Sequence, residues 1–370
     1  MSSDSEKLRS VGISIIAIGV VIAALVLGRS FLIPLAIAVI LWNLLEALID
    51  GFRRIGVGRV RLPRSVATLL AIAAVGFLFY LIANVLLAQG GAIDDAWPRY
   101  EERLKAIAAD LTVWLGPDYS TKVREVIGNI DLTRHAAGLF VTAQSLLLNV
   151  ILVALYVGFL MGERRYVSQK IAALSPDPMQ AGETDRMLSA ISGGIRRYIW
   201  IKTLISLLTG ALSYVVLRGL GVDFAETWAL LIFFLNYIPN IGSVIGVIFP
   251  SLLALVQFDT LVPFFSIAIG LTAIQLIIGN VIDPMLTGRS LNMSAFAIVL
   301  LLAFWGTIWG VVGMFLCVPI MMLMMIICAN VPSWRWVAVL LSKDGRIDMQ
   351  PPGTAPSPVF TAEGLLLAES

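Results

Sequence analysis

The apolar run from Ser294 to Ala329 constrains the fold more than any other feature. At about 36 residues it is too long for one helix across about 30 Å of hydrocarbon, even with tilt. Gly306, Gly310, Gly313 and Pro319 interrupt it. A second odd stretch, Phe224 to Ile238, is too short: about 15 residues, or about 22 Å of helix. It meets Pro239, Asn240 and Gly242 before a second arm, Ile241 to Val256. Both stretches read as helix-break-helix hairpins that enter and leave on one side, with two short, tilted full spans as the alternative of the same parity. A break in hydrocarbon frees backbone groups at several kcal/mol each unless protein or water satisfies them, so each break is expected to be buried or to line a wet cavity.

Composition agrees with a membrane setting. The chain of 370 residues is 59% hydrophobic and 14% charged, with a mean hydropathy of +0.91, against about 45 to 50% and about 25% for soluble domains. The expected fold is an all-α polytopic helical membrane protein with about seven or eight membrane segments, because several runs approach the length one span needs. A net charge of +2 gives no reason to expect nucleic acid.

Four parts are expected: residues 1–90 with three transmembrane helices, 91–143 as an extracytoplasmic amphipathic helical insert, 144–330 as a C-terminal membrane domain, and 331–370 as a largely disordered tail. In the first part, the runs Val11 to Leu27 and Phe31 to Ile49 read as a hairpin of two spans around Gly28. The following GFRRIGVGRVRLPR has five arginines and no acid, which by the positive-inside rule is cytoplasmic. Both chain ends are then expected in the cytoplasm. In the insert, Trp97, Tyr100, Leu104, Ile107, Leu111 and Trp114 keep helical spacing, predicting an amphipathic helix that packs on the membrane domain or lies in the interface plane. Met187, Ile191, Ile195 and Tyr198 predict a second amphipathic helix running into span five.

Polar groups in apolar sequence mark the candidate site. In LNYIPNIGSVIG, the freed backbone and the amides of Asn236 and Asn240 beside Pro239 can replace the hydration of a solute or cation. Alternatively, Gly242 and Gly246 permit close helix packing and Asn236 is an interhelical hydrogen bond. Asn43, Glu46 and Asp50 share one face of span two, with Glu46 the candidate for proton coupling and Asp50 an interfacial ion pair. Asp283, in GNVIDPM, caps or ligates where Pro284 stops a helix, or is a plain turn residue. Gly310, Gly313 and Pro319 place the second hairpin opposite the first on the substrate path.

Several chemistries are not indicated. There is no phosphate-binding GxxxxGK[ST] or dinucleotide GxGxxG, no HExxH, and one histidine, His135, in a polar segment. Cys317 and Cys328 read as packing residues, and neither a metal nor a cofactor is expected.

Four motifs in order, RRIGVGRVRLPRSVA, NYIPNIGSVIG, GNVIDPMLTGRSLN and WGVVGMFLCVP, resemble the autoinducer-2 exporter family of bacterial membrane proteins, the PerM-like permeases, over about residues 10 to 330. The resemblance implies a secondary transporter or permease, an insert after the third span and homo-oligomeric assembly. Some members are described as exporting the quorum-sensing signal autoinducer-2, others as sodium or lithium/proton antiporters. Two steps depart from the pattern: Met293-Ser294 replaces a common His-Pro, and Trp200-Ile201-Lys202 a commoner Gly-Gln. The expected function is export of a small polar solute by alternating access in the lipid bilayer, coupled to protons. A sodium (lithium)/proton antiporter and a membrane scaffold or partner subunit are the alternatives.

Overall fold

The computed structural model describes residues 2–54, 62–115, 150–163, 166, 169–170, 173, 178–287 and 292–345. Among them the regular elements are helices, with one isolated bridge between Met293 and Ser342. The chain is an all-α polytopic membrane protein. Five helical stretches are long and apolar enough to cross a bilayer: Arg29–Arg53, Arg64–Val85, Ile191–Gly219, Val262–Leu286 and Ala295–Asn330. His135, most of the insert and the proline-rich tail lie outside the described residues, as does half of the arginine-rich segment after span two.

The first two helices, α1 (Ser2–Leu27) and α2 (Arg29–Arg54), do not form the expected hairpin. Gly28 donates its N–H to Ala24 O at 2.8 Å, and Leu32 donates to Gly28 O at 2.9 Å, so helical bonding passes through the junction. Nothing in Gly-Arg-Ser forces a reversal, and a helix that continues loses few backbone bonds where water is absent. The Leu25 carbonyl beside the junction accepts the indole N–H of Trp309 at 3.0 Å.

Helix α3 (Arg64–Leu115) runs unbroken for 52 residues, through the third span and into the insert. Leu69, Phe77 and Tyr80 are exposed on its first half, as expected of a lipid-facing surface. On its second half Tyr100 is buried, donating to Asp223 Oδ2 at 2.7 Å, while Arg103 donates to the Asp259 carbonyl at 3.2 Å. The insert helix thus packs on the membrane domain, as expected, at Tyr100; the side chains of Trp97, Leu111 and Trp114 lie outside the described ones. A short apolar helix, α4 (Val150–Glu163), follows.

Helix α5 (Pro178–Gly219) joins the expected amphipathic helix to span five. Its stripe of Ile191, Ile195 and Tyr198 is buried against Met321, Met322 and Met325, with Met187 at the cluster edge. Arg196 reaches back to Asp50 Oδ2 at 2.8 Å, so Asp50 is in an ion pair, though with α5 rather than with its own arginine cluster.

The first hairpin is α6 (Ala225–Leu235), a break, and α7 (Ile241–Gln257). Its arms touch through glycine: a Cβ at Gly242 would collide with the Leu235 carbonyl oxygen, and one at Gly246 would lie 3.2 Å from Ile232 Cγ1. After it, α8 (Val262–Ile277) does not end at Pro284 as expected. Its last turns widen to a π-helix, Ile278–Ile282, and helical structure continues as α9 (Asp283–Thr287). A wider turn takes up a proline that lacks an N–H and crowds the carbonyl four residues back.

The last long helix, α10 (Ala295–Asn330), is itself a hairpin, because Gly310 stands at φ 63°, ψ −144° inside it. The arms run back along each other. Cys317 Sγ approaches Ile298 O at 3.9 Å, a Cβ at Gly306 would lie 3.1 Å from Met314 Cγ, and one at Gly313 would strike the Trp305 carbonyl. More than half of α10's membrane window (56%) is buried, against 11% for the first part of α3, so this hairpin is the centre of the bundle. Ser294 caps it, accepting from the Ala297 N–H at 3.4 Å. A short helix, α11 (Arg335–Leu341), then returns so that Leu341 O accepts from Ser294 N at 2.9 Å.

The hairpins enter from opposite ends. The first has its ends beside Tyr100 and Arg103 of α3. The second has its base against Gly194, near the Arg196–Asp50 pair, and Trp309 near its turn on Leu25.

Candidate functional site

Where the turn of the first hairpin meets the flank of the second, at the end of the bundle that carries Arg196 and Arg197, the helices enclose a cavity of about 500 Å³. Each wall follows from local sequence. On α5, Tyr198 and Lys202 are one turn apart and share a face, and both line the cavity. The hairpin contributes Asn236, Ile238, Pro239, Asn240 and Ser243; α8, its π-turn and α9 contribute Gln275, Asn280 and Asp283 in turn; α10 adds Ile298, Val318 and Met322.

The break costs little because its backbone is largely bonded. Asn236 N–H donates to Ile232 O at 2.9 Å, Ile238 to Leu235 O at 2.8 Å, and Gly242 to Ile238 O at 3.1 Å. Asn240 makes the turn at φ 60°, ψ −53°, and Ile241 N–H donates across it to Pro239 O at 2.6 Å, the geometry of a γ-turn. Tyr237 fixes the break: its hydroxyl lies 2.6 Å from Thr203 Oγ1 of α5, and its ring stacks on Phe315 of α10. Asn236 Nδ2 donates to Ser206 Oγ, one turn beyond Lys202, at 3.0 Å, and Ser206 is wholly inaccessible. The interhelical hydrogen bond and the cavity lining expected as alternatives for Asn236 therefore coexist.

Lys202 Nζ lies 3.3 Å from Asp283 Oδ2, with the two side chains 14% and 30% exposed. Among the described residues lining the cavity, Asp283 is the one carboxylate, and Arg197 and Lys202 are the cations. The carboxamides of Asn236, Asn240, Gln275 and Asn280 both donate and accept, while Ile238, Ile298, Val318 and Met322 are apolar. A mostly apolar pocket with a few convergent polar groups suits a small polar molecule.

Of the residues singled out by sequence, the cavity brings together Asn236, Pro239, Asn240 and Asp283. It does not bring in the others. Gly242 and Gly246 are buried between the arms of their own hairpin, Gly310 and Gly313 form the turn of the second, and Pro319 is buried in its second arm. Glu46, 2% exposed, is paired with Arg64 of α3 at 3.2 Å and does not line the cavity. Lys202 was legible only as a departure from the family pattern, and Tyr198 only as part of a packing stripe. Among the described residues no group of three or more His, Cys, Asp or Glu could hold a metal ion.

Known proteins give this site a context. Residues 13–333 match the family described as AI-2E family transporter. A "putative transport protein" of Haemophilus influenzae is 29% identical over 334 residues, covering 88% of this chain and 93% of the relative. The "AI-2 transport protein TqsA" of Escherichia coli is 29% identical over 329 residues, covering 87% and 92%. A "putative transport protein" of Borreliella burgdorferi is 31% identical over 242 residues, covering 64% and 65%. With a match over most of its length, around broken helices that enclose a polar cavity, the chain belongs to the AI-2E transporter family.

Proposed function

We propose that this multi-pass permease exports a small polar solute, autoinducer-2 or a molecule of similar polarity, across the bacterial inner membrane by alternating access, with the cavity at Asn236, Pro239 and Asn240 as part of the path. The observation that carries the reading is the convergence of four carboxamides and one ion pair on a cavity at the break of a hairpin. Helix breaks of this kind supply polar groups to midplane sites of secondary transporters. The printed name of the Escherichia coli relative supports autoinducer-2 as the first solute to test.

Coupling is assigned to protons through Asp283, whose carboxylate stands in the cavity; Glu46, held by Arg64 outside it, fits a structural role better. The glycines of the two hairpins, Gly242, Gly246, Gly310 and Gly313, with Pro319, act as the close-packed pivots on which the path opens. The arginine-rich end is cytoplasmic by the positive-inside rule, so the cavity faces the cytoplasm in this state, ready to load an outgoing solute. Assembly into homo-oligomers belongs to the same proposal.

The test is uptake of labelled autoinducer-2 into inside-out vesicles under an imposed proton gradient, with Asn236→Ala in parallel and sodium/proton exchange recorded beside it. Gradient-dependent uptake that falls in the variant is the expected result. Proton flux driven by sodium with no solute movement would replace this reading by an antiporter.

A further inference from the structure

We propose that Lys202 is the resident counter-cation of the cavity. Its ammonium occupies the position beside Asp283 that a mobile alkali-metal ion would need, so this chain works without sodium. The inference takes the cavity as the solute path, and so rests on the reading above, but one of its tests does not.

The argument starts from charge. A carboxylate in a confined, partly apolar cavity is costly without a positive neighbour, because solvent no longer screens it well. The neighbour can be a bound ion or a side chain. Here Lys202 Nζ stands 3.3 Å from Asp283 Oδ2, and Asn236, Gln275 and Asn280, whose amide oxygens can ligate a small cation, line the same cavity. One carboxylate with amide oxygens is a plausible alkali-metal site. With an ammonium already at the carboxylate and the Arg197 guanidinium on the same wall, an entering cation meets two like charges against one opposite charge. The lysine side chain is the more buried partner, 14% exposed against 30% for the aspartate. It reaches Asp283 from α5, and both side chains belong to residues that line the cavity.

The pair also joins two elements that belong to different parts of the bundle, α5 and α9, the short helix that follows the π-turn. A charge placed there holds those elements together, and a solute that hydrogen-bonds to either member loosens the tie. Lysine suits this role, since its three donors on a flexible stem can be shared between a carboxylate and a passing hydroxyl.

The experiment uses the full-length protein purified and reconstituted in liposomes, with sodium replaced by N-methylglucamine as the control. Two readouts are taken: exchange of labelled autoinducer-2, and the midpoint of thermal unfolding followed by tryptophan fluorescence, which needs no solute. Wild type is expected to give the same midpoint and the same exchange in both cations. Lys202→Met is expected to be stabilised by sodium or lithium by about 2 °C or more, the shift given by roughly tenfold excess over a dissociation constant, and to exchange solute only when one of these ions is present. Lys202→Arg should remain indifferent to sodium, and Lys202→Met combined with Asp283→Asn should lose the sodium response. A wild type stabilised by sodium, or a Lys202→Met protein whose midpoint ignores sodium and lithium, overturns the proposal. If wild type exchanges no autoinducer-2 while the midpoints shift as described, the counter-cation role stands and the solute assignment fails.

Discussion

The ring of Tyr237, at the break of the first hairpin, stacks on Phe315 of the second, with centroids 4.5 Å apart and planes 29° from parallel. Through its hydroxyl the same tyrosine meets Thr203 of α5 at 2.6 Å. One side chain thus ties the break to the two helices that wall the cavity, and its contacts can be removed separately. Tyr237→Phe keeps the stack and loses the hydrogen bond, which is expected to cost about 1 kcal/mol. Tyr237→Ala loses both and is expected to cost about 3 to 5 kcal/mol. Thermal unfolding in detergent checks the order; equal losses in the two variants would show that the stack contributes nothing.

The hairpin glycines separate into two kinds. At Gly242 and Gly313 an added Cβ meets a backbone carbonyl of the facing arm, whereas at Gly310 it meets nothing within 4 Å but the backbone sits at φ 63°. Gly242→Ala and Gly313→Ala should therefore force the arms apart and abolish folding or transport. Gly310→Ala should cost about 1 to 3 kcal/mol through backbone strain alone, and Gly246→Ala, which needs Ile232 Cγ1 to move only slightly from 3.2 Å, should be mildest. Expression and unfolding midpoints of the four single variants give the ranking.

Glu46 is buried and paired with Arg64, half of whose side chain reaches solvent. Removal of Arg64 leaves a carboxylate with one charged partner fewer, and Arg64→Ala is expected to destabilise by about 1 to 3 kcal/mol. Glu46→Gln should preserve gradient-driven transport, whereas Asp283→Asn should abolish it. The reverse result would move the coupling site from the cavity to the α2–α3 contact.

The docking of the insert helix should depend on pH at its alkaline end. Burial, then the Asp223 hydrogen bond and charge, push the Tyr100 phenol well above its ordinary value of 10.0. The folded protein thus favours the protonated phenol, and the stabilisation is present below about pH 10 and lost as pH rises above it. Tyr100→Phe should remove that alkaline dependence. Limited proteolysis of the insert across this pH range is the measurement; identical profiles for both proteins would contradict the contact.

The two hairpins were legible because their lengths fit no single span: a run of about 15 residues is too short and one of about 36 too long for the bilayer. Composition and the order of motifs likewise carried the helical membrane class and the family. The α1–α2 junction was misread because two apolar runs around Gly-Arg-Ser look the same whether the helix bends or reverses; the difference lies in the bonds of Gly28 to Ala24 and Leu32. Pro284 was misread for a related reason, since sequence does not reveal a π-turn that makes room for a proline inside a helix. The cavity was half legible. Asn236, Asn240 and Asp283 stand out as polar groups in apolar sequence, but Lys202 lies 81 positions from its partner in the chain, and only the packing of α5 on α9 brings the two together.

The central claim is that the cavity at the broken helix is the solute path, and site-directed alkylation tests it most directly. In a background with both native cysteines replaced, Asn280→Cys on the cavity wall and Phe265→Cys on an exposed apolar face are exposed to a small thiol reagent in inside-out vesicles, with and without autoinducer-2. The account predicts that solute slows labelling at position 280 and leaves position 265 unchanged, and that labelling at 280 blocks transport. Labelling at 280 that ignores the solute and leaves transport intact would contradict it.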